Sequence, residues 1–275
     1  MDKTTVNSEG INEEKDGWFG SILIALIAAI ILRIFVFAPT IVVGPSMEPT
    51  LQDPKMAATI LNLDNDRLIA ERLSYFLNIK PKRGDIVTFT EPHSPFYQES
   101  NPAKKMVYFF TKRDYIKRVI GVEGEQVQLK GETIKIDGQT FYNFDIDGDK
   151  ILINGEPLTG DHTVVMENAS VHLNGERLKE DYIKEPWNIR LSIEDGRVRS
   201  SNSGGEDINV DITVPKGYIY VLGDNRNNSS DSRKFSQQKG DVTTINGCIS
   251  LKEMSGRAIF RFWPFDRFGT LGTMK

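Results

Sequence analysis

The sequence predicts a mainly β protein in which one transmembrane helix near the N-terminus precedes an antiparallel β body. Three observations carry this expectation. Trp18 to Ala38 is a run of 21 residues with a single charge, Arg33. Behind it, short runs rich in Val, Ile, Thr, Phe and Tyr alternate at period two and are separated by Asp-Gly and Asn-Gly pairs. Helical periodicity returns only in Asp66 to Leu77, DRLIAERLSYFL, where Leu68, Ile69, Leu73 and Phe76 fall near helical spacing.

The N-terminal tail, residues 1–17, sets Lys3 and Lys15 against Asp2, Glu9, Glu13, Glu14 and Asp16. A cleaved leader would begin with a basic region and carry a shorter apolar stretch, and Val36-Phe37-Ala38 is not an A-x-A site. Residues 18–38 are therefore expected to be a retained single-pass anchor. At 1.5 Å per residue they span roughly 30 Å, one hydrocarbon core. Trp18 suits the headgroup level, Arg33 can reach toward the opposite interface, and Pro39 is expected to stop the helix. The acidic tail gives the positive-inside rule no purchase on orientation.

Strands are expected at Asp85–Thr90, Gln126–Leu129, Thr133–Ile136, Ile208–Val214 and Tyr218–Leu222. Asp137-Gly138, Asn154-Gly155 and Asn174-Gly175 read as hairpin turns, because a type I′ turn needs positive φ at both central residues. The similar segments Ile151–Leu158 and Val171–Leu178 read as two hairpins. Glu91–Ala103, with three prolines, and Ser200–Gly205 read as loops.

Composition narrows the function. The chain has 275 residues, 39% hydrophobic and 26% charged, which suffices for a core. Its formal net charge of −4 disfavours a nucleic-acid binder, which needs a basic surface. The lone Cys248 excludes intrachain disulfides and zinc sites built on cysteine pairs, and His93, His162 and His172 share no metal-ligand spacing. No cofactor or metal is expected.

Three segments offer chemistry. In Gly44-Pro45-Ser46-Met47-Glu48-Pro49-Thr50-Leu51, Pro45 and Pro49 restrict the backbone around Ser46. Taken alone, this is an ordinary proline-rich loop. Serine needs a base to become a nucleophile, and no GxSxG turn is present. A lysine can serve if burial keeps its amine neutral. In Asp114-Tyr115-Ile116-Lys117-Arg118-Val119-Ile120, strand alternation puts Tyr115, Lys117 and Val119 on one face and Ile116, Arg118 and Ile120 on the other. The competing reading, supported by Lys112, Arg113 and Arg118, is a solvated basic strand edge. Finally, Gly223-Asp224-Asn225-Arg226-Asn227-Asn228-Ser229-Ser230-Asp231-Ser232-Arg233 is either a polar surface turn or a rigid support. Asp231 with Arg233 or Arg226 would form charge-assisted bonds there, and a serine such as Ser229 would orient a neutral lysine.

These motifs, in this order behind an apolar anchor, resemble the bacterial type I signal peptidase (leader peptidase) family of membrane-anchored Ser/Lys endopeptidases. GPSMEPTL, Arg83–Phe89, YIKRVIGVEGE, GDNRNNSSDSR and Gly256–Phe265 all carry the likeness. The resemblance implies Ser46 as nucleophile, Lys117 as general base, Ser229 as the lysine-orienting serine, and Asp231, Arg233, Asp224 and Arg226 as supports. It implies an oxyanion hole using the Ser46 N–H, and Gly44 lacks the side-chain donor some members carry at that position. Val42, Leu51, Tyr115 and Ile116 fall on the family's pocket positions. Substrates would be secretory preproteins cut after small residues, bound as an added strand. The implied organisation is a catalytic β core at 39–125 and 212–275 with a smaller variable β domain, 126–211, inserted between. The implied location is the plasma membrane, with the body on the extracytoplasmic side. Separately, the aromatic run at the C-terminal end, above all Trp263-Pro264-Phe265, where Pro264 breaks the strand, is expected to give the body a second contact with the bilayer. Gln52–Leu63 is longer than the family's usual link. Two other readings stand beside this one: an inactive membrane-tethered β-rich binding module on the same scaffold, and a self-cleaving Ser/Lys repressor, which would need a DNA-binding region.

Overall fold

A computed structural model describes residues 10–53, 64–90, 101–104, 114–147, 149–183, 185–200, 211–235 and 244–271. A helix runs Gly10–Phe35, and most of the regular structure described after it is antiparallel strand. Nine strands make the main sheet. In spatial order they are Phe37–Ile41, Arg67–Glu71, Met254–Trp263, Ile86–Thr90, Asp114–Val122, Tyr218–Leu222, Cys248–Ser250 and Thr244–Ile245, with Gly269–Thr270 paired to Met254–Trp263. The strands between Gln126 and Thr213 form three smaller sheets of three, five and four strands. Asp211–Thr213 pairs with Gln126–Lys130 in one of these.

Turn chemistry fixes the hairpins. Asp137-Gly138, Asn154-Gly155 and Asn174-Gly175 all have positive φ at both residues, as type I′ turns demand. Asp195-Gly196 and Asn246-Gly247 show the same signature.

Two sequence expectations are corrected. The helix ends at Phe35, and Pro39 lies inside the strand Phe37–Ile41 instead of stopping a helix. Proline fits there because this strand is at the sheet edge. Asp66–Leu77 is not one helix. Arg67–Glu71 is a strand between Phe37–Ile41 and Met254–Trp263, followed by a single helical turn, Leu73–Phe76. Pairing on both sides buries Leu68 and Ala70, and that tertiary gain overrides local helix propensity.

The loop expected at Glu91–Ala103 lies mostly outside the described residues, as do 201–205 of the other loop and 208–210 of the expected strand. Among the described residues no helix is long and apolar enough to cross a membrane. Of the Gly10–Phe35 helix, the side chains described are those of 18–32, which cover about 22 Å at 1.5 Å per residue.

Three apolar clusters fill the body. The largest joins Ile120, Tyr220, Leu222 and Cys248 of the main sheet to Val127, Ile134, Val164 and Leu191 of the smaller sheets. A second, with Val42, Met47, Leu51, Leu68, Ile86, Ile116 and Ala258, lies behind the Ser46 loop. The third contains Val87, Phe89, Val119 and Val221, with Tyr115 packed on it.

Candidate active site

Ser46 and Lys117, 71 residues apart in sequence, meet in space. The Lys117 amine donates to Ser46 Oγ at 2.8 Å and to its neighbour's carbonyl, Ile116 O, at 2.9 Å. Lys117 occupies an interior strand flanked by Ile86–Thr90 and Tyr218–Leu222, and only 3% of it is exposed. Burial lowers its amine from 10.5 to about 8, against the opposing pull of Asp231 and Asp224 and with a smaller push from Arg233. The Tyr115 ring centre is 5.3 Å from the amine.

The Ser46 loop is fixed at several points. Gly44 has φ +85° and donates its N–H to buried Asp53 Oδ2 at 2.8 Å. Asn225 N–H donates to the Ser46 carbonyl at 3.1 Å, and Glu48 N–H to Pro45 O at 3.0 Å. Thr50 donates its hydroxyl to Asp224 at 2.6 Å. Buried Asp66 accepts from the N–H of Gln52 and from Arg261 and Arg267, while Arg261 also binds the Thr50 carbonyl. Among the described residues the Ser46 N–H has no acceptor.

The turn at 223–233 packs against this loop. Asp231 is fully buried and accepts from Gly223 N–H at 3.0 Å and from Arg233 Nε and Nη2 at 2.8 and 2.9 Å. Burial alone would raise its carboxyl, but the Arg233 guanidinium and these N–H donors outweigh it and hold the group at about 2. Arg226 does not pair with Asp231; its guanidinium binds Glu180. Arg118 is a further correction, because it is no solvated edge residue. It is 3% exposed and forks onto Asp224 at 2.8 and 2.6 Å, with a third bond to Gly84 O. The turn brings the acid that neutralises it, and its sequence neighbours gave no sign of that.

Ser229 is buried, close enough to help hold the Asp231 carboxyl down, yet its Oγ has no hydrogen-bond partner of good geometry and is absent from the bonds made by Lys117. Its position depends on Gly223. A Cβ on Gly223 would fall 2.7 Å from Ser229 Cβ and closer still to Ser229 Oγ and the Ser46 carbonyl oxygen. Gly223 thus permits the close approach of the two segments. Asp53, Arg118 and Gly223 were not picked out from sequence; Gly223 alone had a signal, as the glycine between a strand and a polar turn.

Of the pocket positions, Val42, Leu51 and Ile116 share one cluster while Tyr115 stacks on Phe235 at 6.0 Å in another. Val42 and Leu51 are fully buried, so Ile116 and Tyr115 are the two that keep surface. Among the described residues no group of three or more His, Cys, Asp or Glu is placed to hold a metal.

The chain matches the family described as "Signal peptidase, peptidase S26" over residues 16–150 and 143–263. It is 29% identical over 249 residues to a signal peptidase I of Leptolyngbya laminosa, covering 90% of this chain and 80% of that one. It is 30% identical over 247 residues to a probable signal peptidase I-2 of a Synechocystis strain, covering 90% and 72%. A solved signal peptidase I from Enterococcus faecalis V583 aligns at 21% identity over 65% of this chain and 96% of its own, with a TM-score of 0.29. With matches that together span nearly the whole body behind the tail, the chain belongs to the signal peptidase family, peptidase S26.

Proposed function

We propose that the chain is a membrane-anchored serine endopeptidase that removes signal peptides from secreted preproteins after small residues, with Ser46 as nucleophile and Lys117 as general base. The observation that carries this is the 2.8 Å contact between Ser46 Oγ and a buried lysine amine held at about 8. At that pH about half of the amine is neutral, and above it most of it is. The Ser46 hydroxyl then donates to the amine lone pair, while the bond to Ile116 O fixes the amine's orientation. Oγ attacks the scissile carbonyl as its proton moves to Lys117 Nζ. The Ser46 N–H, free of other acceptors, meets the developing oxyanion. Protonated Lys117 returns the proton to the leaving amine, and a water then releases the acyl group by the same route. Asp231, Arg233 and Asp224 act as fixed charges around the base, and Ser229 supplies a hydroxyl beside the Ser46 carbonyl. Ile116 and Tyr115 form the accessible walls for a small substrate side chain, over Val42 and Leu51.

The division into a core (39–125, 212–275) and an inserted unit (126–211) is part of this proposal. So is the membrane anchor, which the strand Phe37–Ile41 shortens from 18–38 to 18–35, with the body on the extracytoplasmic side. What supports the anchor is the helix surface: Trp18, Phe19, Ile24, Leu26, Ile31 and Leu32 are each at least half exposed among the described residues, a largely uncovered apolar surface. The body itself offers Phe265 and Phe268, 73% and 58% exposed, as a second bilayer contact. The nearby Arg261 and Arg267 turn inward to Asp66, so the aromatics alone would carry that contact.

The test is preprotein cleavage by the wild-type chain, Ser46→Ala and Lys117→Arg. Both variants should be inactive and folded, because either change removes nucleophile activation and guanidinium does not deprotonate at working pH. Substantial turnover by Lys117→Arg would overturn the dyad. Binding of preproteins without cleavage by the wild-type chain would favour the inactive module.

A further inference from the structure

Residues 180–183 and 185–187, between Glu176–Arg177 and Ile189–Glu194 of the smaller sheets, reach the 223–233 turn. Glu180 takes both terminal nitrogens of Arg226, at 3.1 and 2.6 Å, with the two side chains 9% and 1% exposed. Tyr182 donates its hydroxyl to Glu180 at 2.5 Å, and its ring lies 4.2 Å from the Arg118 guanidinium. The Trp187 ring faces both Arg226 and Arg233, 5.3 Å from each. The Pro186 carbonyl accepts from Asn227 at 3.1 Å. Three arginines at the site are thus covered by one segment from outside the main sheet.

Each of those arginines continues inward. Arg226 Nε donates to Gly223 O at 3.0 Å, and Gly223 abuts the Ser46 carbonyl. Arg233 holds Asp231, and Arg118 holds Asp224, which in turn holds Thr50 of the Ser46 loop. We propose that residues 180–183 and 185–187 are a positioning strap. Glu180, Tyr182 and Trp187 fix the Gly223–Arg233 turn and, through it, the separation and burial of the Ser46–Lys117 pair. Glu180 and Trp187 are positioning residues, because they touch the arginines and not the reacting atoms. The inference rests on the serine–lysine reading and adds a source of rigidity outside the catalytic motifs.

The experiment is a kcat, KM and pH–rate study of the full chain in detergent, on a signal-peptide-bearing substrate, well below each variant's melting temperature. The variants are Glu180→Ala, Glu180→Gln, Trp187→Ala and Trp187→Phe, with Ser46→Ala as control. Loosening the turn admits water to Lys117, whose charged neighbours are Asp231, Asp224 and Arg233. Because burial is what lowers that amine most, the acidic limb of the rate profile should move upward in pH. The Ala variants should lose roughly tenfold or more in kcat with KM nearly unchanged, since a small misplacement of the pair acts on chemistry. Gln and Phe, which keep the shape, should recover most of the rate while displacing the limb in the same direction by less. They carry the test if the Ala variants do not fold. A lower melting temperature with wild-type kcat and limb would make the strap mere scaffolding and overturn the proposal. An active Ser46→Ala would instead overturn the reading beneath it.

Discussion

A lysine kept near neutrality by burial weakens the fold that holds it, and replacing it should reveal by how much. Lys117→Met keeps an unbranched side chain of similar length and removes the amine. In the folded chain the amine sits at about 8, against 10.5 for its ordinary value. Folding therefore disfavours the ammonium by about 3 kcal/mol below pH 8. The variant loses the donor to Ile116 O, worth about 1 kcal/mol. A net gain of about 2 kcal/mol at pH 6–7 follows, or a melting temperature higher by roughly 4–8 °C. Between pH 8 and 10.5 the unfolded wild-type chain binds the extra proton and the folded chain does not, so wild-type stability rises with pH across that window. Above 10.5 the penalty has gone and the variant should be the less stable of the two. Denaturant unfolding of both chains at intervals from pH 6 to 11 measures this, with activity lost throughout for the variant. Parallel stability curves for the two chains would refute the claim that burial controls this amine.

Three further outcomes are expected. The rate of preprotein cleavage should climb as pH rises through about 8 and level off above it, since the base works as free amine, and EDTA should leave it unchanged; a rate that falls over this range contradicts the assignment. Gly223→Ala, which drives a methyl into Ser229 and the Ser46 carbonyl, should cost about 1–3 kcal/mol of stability and roughly 100-fold in kcat; kcat within threefold of wild type would mean the two segments separate freely. Phe265→Ser with Phe268→Ser, in a chain beginning at Pro39, should abolish flotation with lipid vesicles that the parent truncated chain shows; unchanged flotation removes the second bilayer contact.

Much of the sheet was legible because its signals are local. Thr133–Ile136 and Tyr218–Leu222 appear with the bounds their alternation suggests, and Asn-Gly and Asp-Gly pairs sit at hairpin turns because few other residues accept two positive φ values. Arg67–Glu71 was misread because Leu68, Ile69 and Leu73 satisfy a helical period as well as a strand does, and only its partners on both sides settle the choice. At the site, Ser46, Lys117, Asp231 and Arg233 are nameable through the order of their motifs and its resemblance to a known family, since each motif alone also reads as an ordinary loop, strand edge or turn. Arg118 and Glu180 are not. Their partners Asp224 and Arg226 lie 106 and 46 residues away, and nothing beside either in sequence marks a buried charge.

The shared core of Ile120, Tyr220, Leu222 and Cys248 with Val127, Val164 and Leu191 has a consequence for modularity. Among the described residues one apolar cluster runs from the main sheet into the smaller ones. Excising residues 126–211 and rejoining the chain would open the back of the very strands that carry Lys117 and lead into Gly223, so the smaller sheets cannot be traded like a cassette. Length variation among homologous chains should accumulate instead at the solvated hairpin tips, such as Asn154-Gly155 and Asn174-Gly175, where added residues disturb no packing.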